Sequence, residues 1–121
     1  MVADKIYDLL PASLPKTIGD LPSTETDAVA IMEYNGATST EYFGVRNNDG
    51  NSVFQPIVKI VVRTDSYEEG VAWSELIKET LHRYTDDYFI SIMLVGTPMY
   101  LGRDEMKLHE FQVTFRTQVK E

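Results

Sequence analysis

The chain has 121 residues, no cysteine and a formal net charge of −8. That length supports one domain, residues 1–121, which buries roughly two thirds of its unfolded surface without staples; the lack of cysteine excludes disulfides, thiolate metal sites and thiol chemistry. The acidic balance argues against a nucleic-acid surface, since phosphate binding releases counterions through basic patches, and Arg46, Lys59, Arg63, Lys78, Arg83, Arg103, Lys107 and Arg116 are scattered among acids.

Residues 2–10 put Val2, Ile6, Leu9 and Leu10 on one face of a short amphipathic helix that Pro11 ends. Asp4, Lys5 and Asp8 interrupt any apolar signal core there, and the longest apolar runs are strand-length, so neither a leader nor a membrane span is expected and assembly in the cytosol is. A helix this short does not hold alone in water and must dock. Residues 11–27 carry Pro11, Pro15 and Pro22 and read as a connection. Leu14, Ile18 and Leu21 keep helical spacing, which leaves open a brief helical piece or an arm that grips a neighbour.

Residues 28–35 alternate as a strand, with Val29 and Ile31 facing one way and Ala30, Met32 and Tyr34 the other. Residues 37–52 are polar, with room for a short strand at 41–46 and a hairpin tip at Asp49 and Gly50. Asn47, Asp49 and Asn51 have the alternation of a calcium loop, but the required glycine and closing glutamate would fall on Ser52 and Val58, so that reading is rejected.

The run VFQPIVKIVVRT, residues 53–64, is the strongest strand signal. Phe54, Val58, Ile60 and Val62 make an apolar face, while Ile57 and Val61 alternate with Lys59 and Arg63 on the other. Pro56 marks an edge or bulge near its start. Residues 66–84 read as the one long helix. Ser66 three before Glu69 has capping-box spacing, and Asp65 before Glu68 competes with it. Trp73, Leu76, Ile77, Leu81 and Tyr84 form its apolar stripe, and Glu79 to Arg83 has the favourable ion-pair order.

Residues 88–96 are apolar on both faces apart from Ser91, which predicts a central strand. Residues 97–106 read as a connection with Pro98 and Gly102 as breakers. Residues 108–119 alternate as the last strand, with Phe111, Val113, Phe115 and Val119 inward. The order α-β-β-α-β-β predicts an α+β two-layer sandwich: a mainly antiparallel four-stranded sheet, with a possible extra strand at 41–46, and one long helix packed on it. One helix cannot cover both apolar faces, so the second face needs the N-terminal helix or a neighbouring subunit.

No catalytic pattern emerges. His82 and His109 lack companions at ligand spacing and read as surface histidines. The acidic pairs Glu68 and Glu69, Asp86 and Asp87, and Asp104 and Glu105 sit at element ends, where a helix dipole or a turn accounts for them. With no nucleophile elbow and no phosphate loop, neither an enzyme nor a cofactor is expected.

AIMEYNG, QPIVKIVVRTDSYEEGVAWSELIKETL and TPMYLGRDEMKLHEFQVTF together resemble the phage minor capsid and tail terminator family, on Phe54, Arg63, Tyr67, Pro98, Leu101 and Gly102 in particular. Residues 11–27 and 37–52 contribute nothing to the likeness. The resemblance implies a virion protein: a ring, hexameric in the family, on the end of a tail tube, stopping its growth and joining it to the head connector. Its partners would be further copies, the tail tube protein and the connector proteins, with DNA passing through the lumen without specific binding. An acidic surface suits such passage because it repels DNA. Arg63, Glu68, Glu75 and Arg83 are the candidate subunit contacts, being charges on regular elements. Two alternatives stand beside this: a head-completion protein of the same joint, separated by binding to portal rather than tubes, and a small-molecule or regulatory α+β module, which needs a pocket with convergent polar groups.

Overall fold

The computed structural model describes residues 2–21, 26–34, 53–54 and 56–120. Its elements are α1 (Val2–Leu9), β1 (Lys16–Ile18), β2 (Ala28–Tyr34), β3 (Val53–Phe54), β4 (Ile57–Thr64), α2 (Tyr67–Leu81), β5 (Phe89–Leu94), β6 (Met99–Arg103) and β7 (His109–Lys120). The expected strand at 41–46, the hairpin tip and the Asn47–Asn51 alternation lie outside the described residues.

The fold is α+β, and its sheet is larger than four antiparallel strands. The strands run β1, β2, β4, β7, with β5 and β6 sharing the far flank of β7. β1 is parallel to β2, which makes the sheet mixed. β3 and β4 meet β7 in one unbroken register, Phe54 opposite Val119 and Ile57 opposite Arg116, so they are one strand interrupted around Pro56. Proline has no N–H to give a ladder, and the Pro56 carbonyl instead accepts from both the backbone N–H and the hydroxyl of Thr117, at 3.0 and 2.8 Å.

Two segments read as connections are strands. Lys16–Ile18 pairs with β2, and Met99–Arg103 pairs with β7 despite Pro98 and Gly102. Gly102 has φ 100° where the register slips between Tyr100 and Gly102. A glycine there lets the strand bulge and continue, so it breaks the alternation without ending the pairing.

Both helices pack on the same face. Val2, Ala3 and Ile6 of α1 and Ile77 and Leu81 of α2 join one core with Val29, Ile31, Val58, Ile60, Val62, Phe111, Val113, Phe115 and Val119. Each large side chain removed from water there is worth about 1.5–3 kcal/mol. The N-terminal helix therefore does not cover the second face. That face is already shielded at β2 and β4, where Ala28, Ala30 and Val61 are buried, and it opens toward β5 and β6.

α2 runs shorter than its periodicity and faces differently. Ser66 is the cap, its Oγ accepting from the Glu69 N–H at 3.3 Å; Asp65 instead donates its N–H to the Asp27 carboxylate at 3.1 Å. The deepest line is Gly70, Ser74, Ile77 and Leu81, with Trp73 and Leu76 half-buried and Tyr84 beyond the helix end. Glycine and serine look like a polar interruption in sequence, yet they sit where helix and sheet come closest. Ser74 satisfies its hydroxyl by donating to the Gly70 carbonyl at 2.8 Å.

Candidate functional site

β5 and β6 lie on one side of the described sheet, each pairing with β7, and β5 also takes a single antiparallel bridge from Tyr84 to Ile92 on its far side. The central position expected for residues 88–96 is therefore corrected. Apolar residues on both faces record burial without recording what does the burying, and here one face meets the core and the other meets solvent. A register slip between Phe89 and Ser91 brings Phe89 and Ile92 to the same inner side, both buried.

From Tyr88 to Gly102 no residue is charged. Ile90, Met93, Val95, Met99 and Leu101 are all exposed along this edge, Met99 by 56% and Leu101 by 46%. Soluble proteins usually blunt such an edge with lysine, proline or a covering loop, because unpaired strand groups beside apolar side chains invite association. Here Pro98 stands between β5 and β6, and the chain just after α2 takes up part of the β5 backbone, the Ile92 N–H donating to the Tyr84 carbonyl at 3.1 Å, while the apolar side chains stay exposed.

On the helix side the edge carries an aromatic cluster. Tyr67, the first residue of α2, meets Tyr100 of β6 edge to face at 5.1 Å between ring centres and Phe111 of β7 at 5.5 Å; Tyr100 lies 5.1 Å from Phe111. The Tyr100 hydroxyl and His109 Nδ1 share a hydrogen bond of 2.8 Å. Tyr67, Val71, Ser74, Glu75, Pro98, Tyr100 and Phe111 line a cleft of about 130 Å³. A second cleft, of about 240 Å³, lies among Arg63, Asp104, Glu105 and Met106. Both fall below the roughly 300–1,000 Å³ of small-molecule sites.

The four candidate contact residues are not gathered at one place. Arg63 is 7% exposed on the outer face of β4, between Ala28 and Glu110 in the register, and lines the larger cleft. Glu68 and Glu75 are exposed on α2 and, being seven apart with Val71 between them, share a face; Glu75 also flanks the aromatic cleft and lies 3.7 Å from Lys78. Arg83 is exposed beyond the helix end with φ 67°, its N–H donating to the Ile92 carbonyl at 2.7 Å. Sequence reasoning missed the exposed edge itself, whose signal was the uncharged stretch 88–102.

The remaining polar candidates have structural duties. His82 is half-buried, and its Nδ1 accepts from the Leu94 N–H at 3.0 Å, tying the helix end to β5. Asp86 Oδ1 accepts from the N–H groups of Tyr88 and Phe89, each at 2.7 Å, and its other oxygen accepts from the Tyr84 hydroxyl at 2.9 Å. The Phe89 N–H is the main reason the Asp86 carboxyl titrates below its ordinary range, and the same carboxylate holds the Tyr84 phenol above its own. Tyr88 is raised chiefly by burial, with Glu33 and Asp4 adding to it. Asp104 Oδ1 repeats the device by accepting from Met106 and Leu108. Among the described residues no three metal-ligating side chains converge, and no helix is long and apolar enough to cross a membrane.

Comparison with known proteins agrees with this geometry. The fold is similar to a chain of a solved structure titled "Virion of native gene transfer agent (GTA) particle", with TM-score 0.63 and 10% identity over 96% of this chain and 92% of that one. A search of curated proteins gives no match. A family model described as "Bacteriophage tail terminator protein" matches residues 3–121, and with nearly the whole chain inside that match, the protein belongs to the bacteriophage tail terminator family and is a structural component of the virion tail.

Proposed function

We propose that copies of this protein close into a ring on the end of a phage tail tube, stop the tube from growing and present the surface that receives the head connector, with no catalytic step of its own. The observation that carries the ring is the β5–β6 edge: exposed apolar side chains along a stretch, 88–102, that has no charge on a chain of net charge −8. A ring needs two different patches on one subunit that fit through a closing rotation. The β5–β6 edge supplies one. The exposed acids Glu68 and Glu75 and the cation Arg83 are accessible for contacts at the rim, whereas Arg63 would first have to leave its buried position. Six-fold closure is the stoichiometry the family resemblance implies, and an acidic lumen would let DNA slide through without sticking.

Replacing the two exposed methionines of the edge tests this. Met93→Lys with Met99→Lys puts solvated charge on the outer face without touching the core. Wild type is expected to sediment as a closed oligomer and to add density to the ends of purified tail tubes, while the double variant sediments as a monomer with unchanged melting. A wild-type chain that stays monomeric at high concentration and leaves tube ends bare overturns the reading; so does a double variant that assembles as wild type does.

A further inference from the structure

The cleft between α2 and β6 has features that the outer apolar face of the β5–β6 edge does not account for. Three aromatic rings wall it. Tyr67 and Tyr100 stand at 83° to one another, so together they form a corner rather than a flat stack. Glu75 places a carboxylate at its rim, and its lining contains no basic residue. Tyr67 and Tyr100 are both exposed, so the rings are open to an incoming group.

The chemistry of that corner selects its occupant. A purely apolar side chain would fill the space but leave the Glu75 carboxylate at its rim without any contact from the occupant. An acidic group would meet Glu75 and the nearby Glu68 with like charge. A cation on an apolar stem meets every wall: the stem lies along Val71 and Pro98, the charge lies against the ring faces, and Glu75 accepts its hydrogen bonds. Arginine fits better than lysine, since its flat guanidinium stacks on an aromatic face and offers a fork to a carboxylate. The present partner of Glu75 is Lys78, one turn on at 3.7 Å with both side chains well exposed; such a surface pair contributes little and yields readily. The volume, about 130 Å³, suits one long side chain rather than a free cofactor.

We propose that this cleft is a slot for an arginine side chain presented by an adjoining virion protein, a docking contact on the helix side of β6, opposite the outer face on which Met93 and Met99 stand. It rests on the tail-end reading only for the source of the arginine. The test titrates the full chain, monomeric as the Met93→Lys and Met99→Lys variant, with N-acetyl-arginine methylamide and with its citrulline counterpart, a neutral near-isostere, while the ring resonances of Tyr67 and Tyr100 are followed by NMR.

Saturable shifts of both rings by the arginine probe are expected, with a dissociation constant on the order of 10 mM. The citrulline probe should bind about 2- to 5-fold more weakly, and Glu75→Gln should reduce that preference to what the rings alone supply, whereas the control Glu79→Gln keeps it. Tyr67→Leu should weaken both probes. Equal response to arginine and citrulline, or no saturable shift by about 50 mM, overturns the slot. Because the titration needs no ring, wild type that assembles on tubes while the cleft ignores arginine overturns this inference alone.

Discussion

Gly70 stands where α2 leaves no room for a side chain against β7. A Cβ at that position would meet the Phe111 ring, with Cδ1 at 2.7 Å, and the Thr64 hydroxyl at 2.8 Å. Phe111 is buried and braced by Tyr67 and Tyr100, so it has nowhere to turn. In an exposed helix Gly→Ala would gain about 1 kcal/mol. Here overpacking of about 1–3 kcal/mol opposes that gain, and Gly70→Ala is expected to lower stability in urea titrations. Phe111→Leu in the same chain should relieve the clash, giving a favourable coupling between two residues in contact. If Gly70→Ala raises the urea midpoint, α2 does not lie as close to β7 as described.

At the level of elements, α1 shows how a helix too short to stand alone is held. The Glu33 carboxylate of β2 accepts from the Ala3 N–H at 3.0 Å at its start, and the Lys16 ammonium of β1 donates to the carbonyls of Tyr7 and Leu10, both at 2.9 Å, at its end. A carboxylate at the N-terminus and a cation at the C-terminus complement the helix dipole and satisfy groups that have no intrahelical partner. Lys16→Met keeps an unbranched stem but loses both bonds and the ammonium that lies 4.4 Å from the centre of the Tyr7 ring, and should cost about 1–2 kcal/mol, with amide exchange rising first in α1. The turn between α2 and β5 is the pH-sensitive element. Because the folded Asp86 carboxyl titrates below the ordinary value of about 4, its contribution is fully present above that value and is lost as pH falls through the lower folded one. The melting temperature of Asp86→Asn, measured from pH 5 downward, should start lower than that of wild type and fall less steeply, so that the two curves converge in acid.

For the whole molecule, charge and apolar surface pull in opposite directions. Each copy carries −8, which repels other copies, while the uncharged edge draws them together. Raising salt from about 0.1 M to about 1 M shortens the screening length from about 10 to about 3 Å. Self-association should therefore strengthen with salt, read by sedimentation across that range. Weakening with salt would instead place the contact on Glu68, Glu75 and Arg83, the charges that stand on α2 and just beyond it.

Local pattern determined much of this protein by itself. The inward faces of β4 and β7, the Ser66 cap, the α+β class and the absence of charge from 88 to 102 are all written in residue order, because alternation and helical spacing are properties of neighbouring positions. Tertiary structure alone decided that β5 lies at an edge, that both helices share one face, that β1 and β6 exist, and that Gly70 and Ser74 mark the closest approach. The reason is common to all four. A buried pattern reports that water is excluded, whereas the group excluding it sits many positions away. The aromatic cleft is the clearest case: Tyr67, Tyr100 and Phe111 belong to three elements, and only the register of β6 on β7 and the seating of α2 above them bring their rings together.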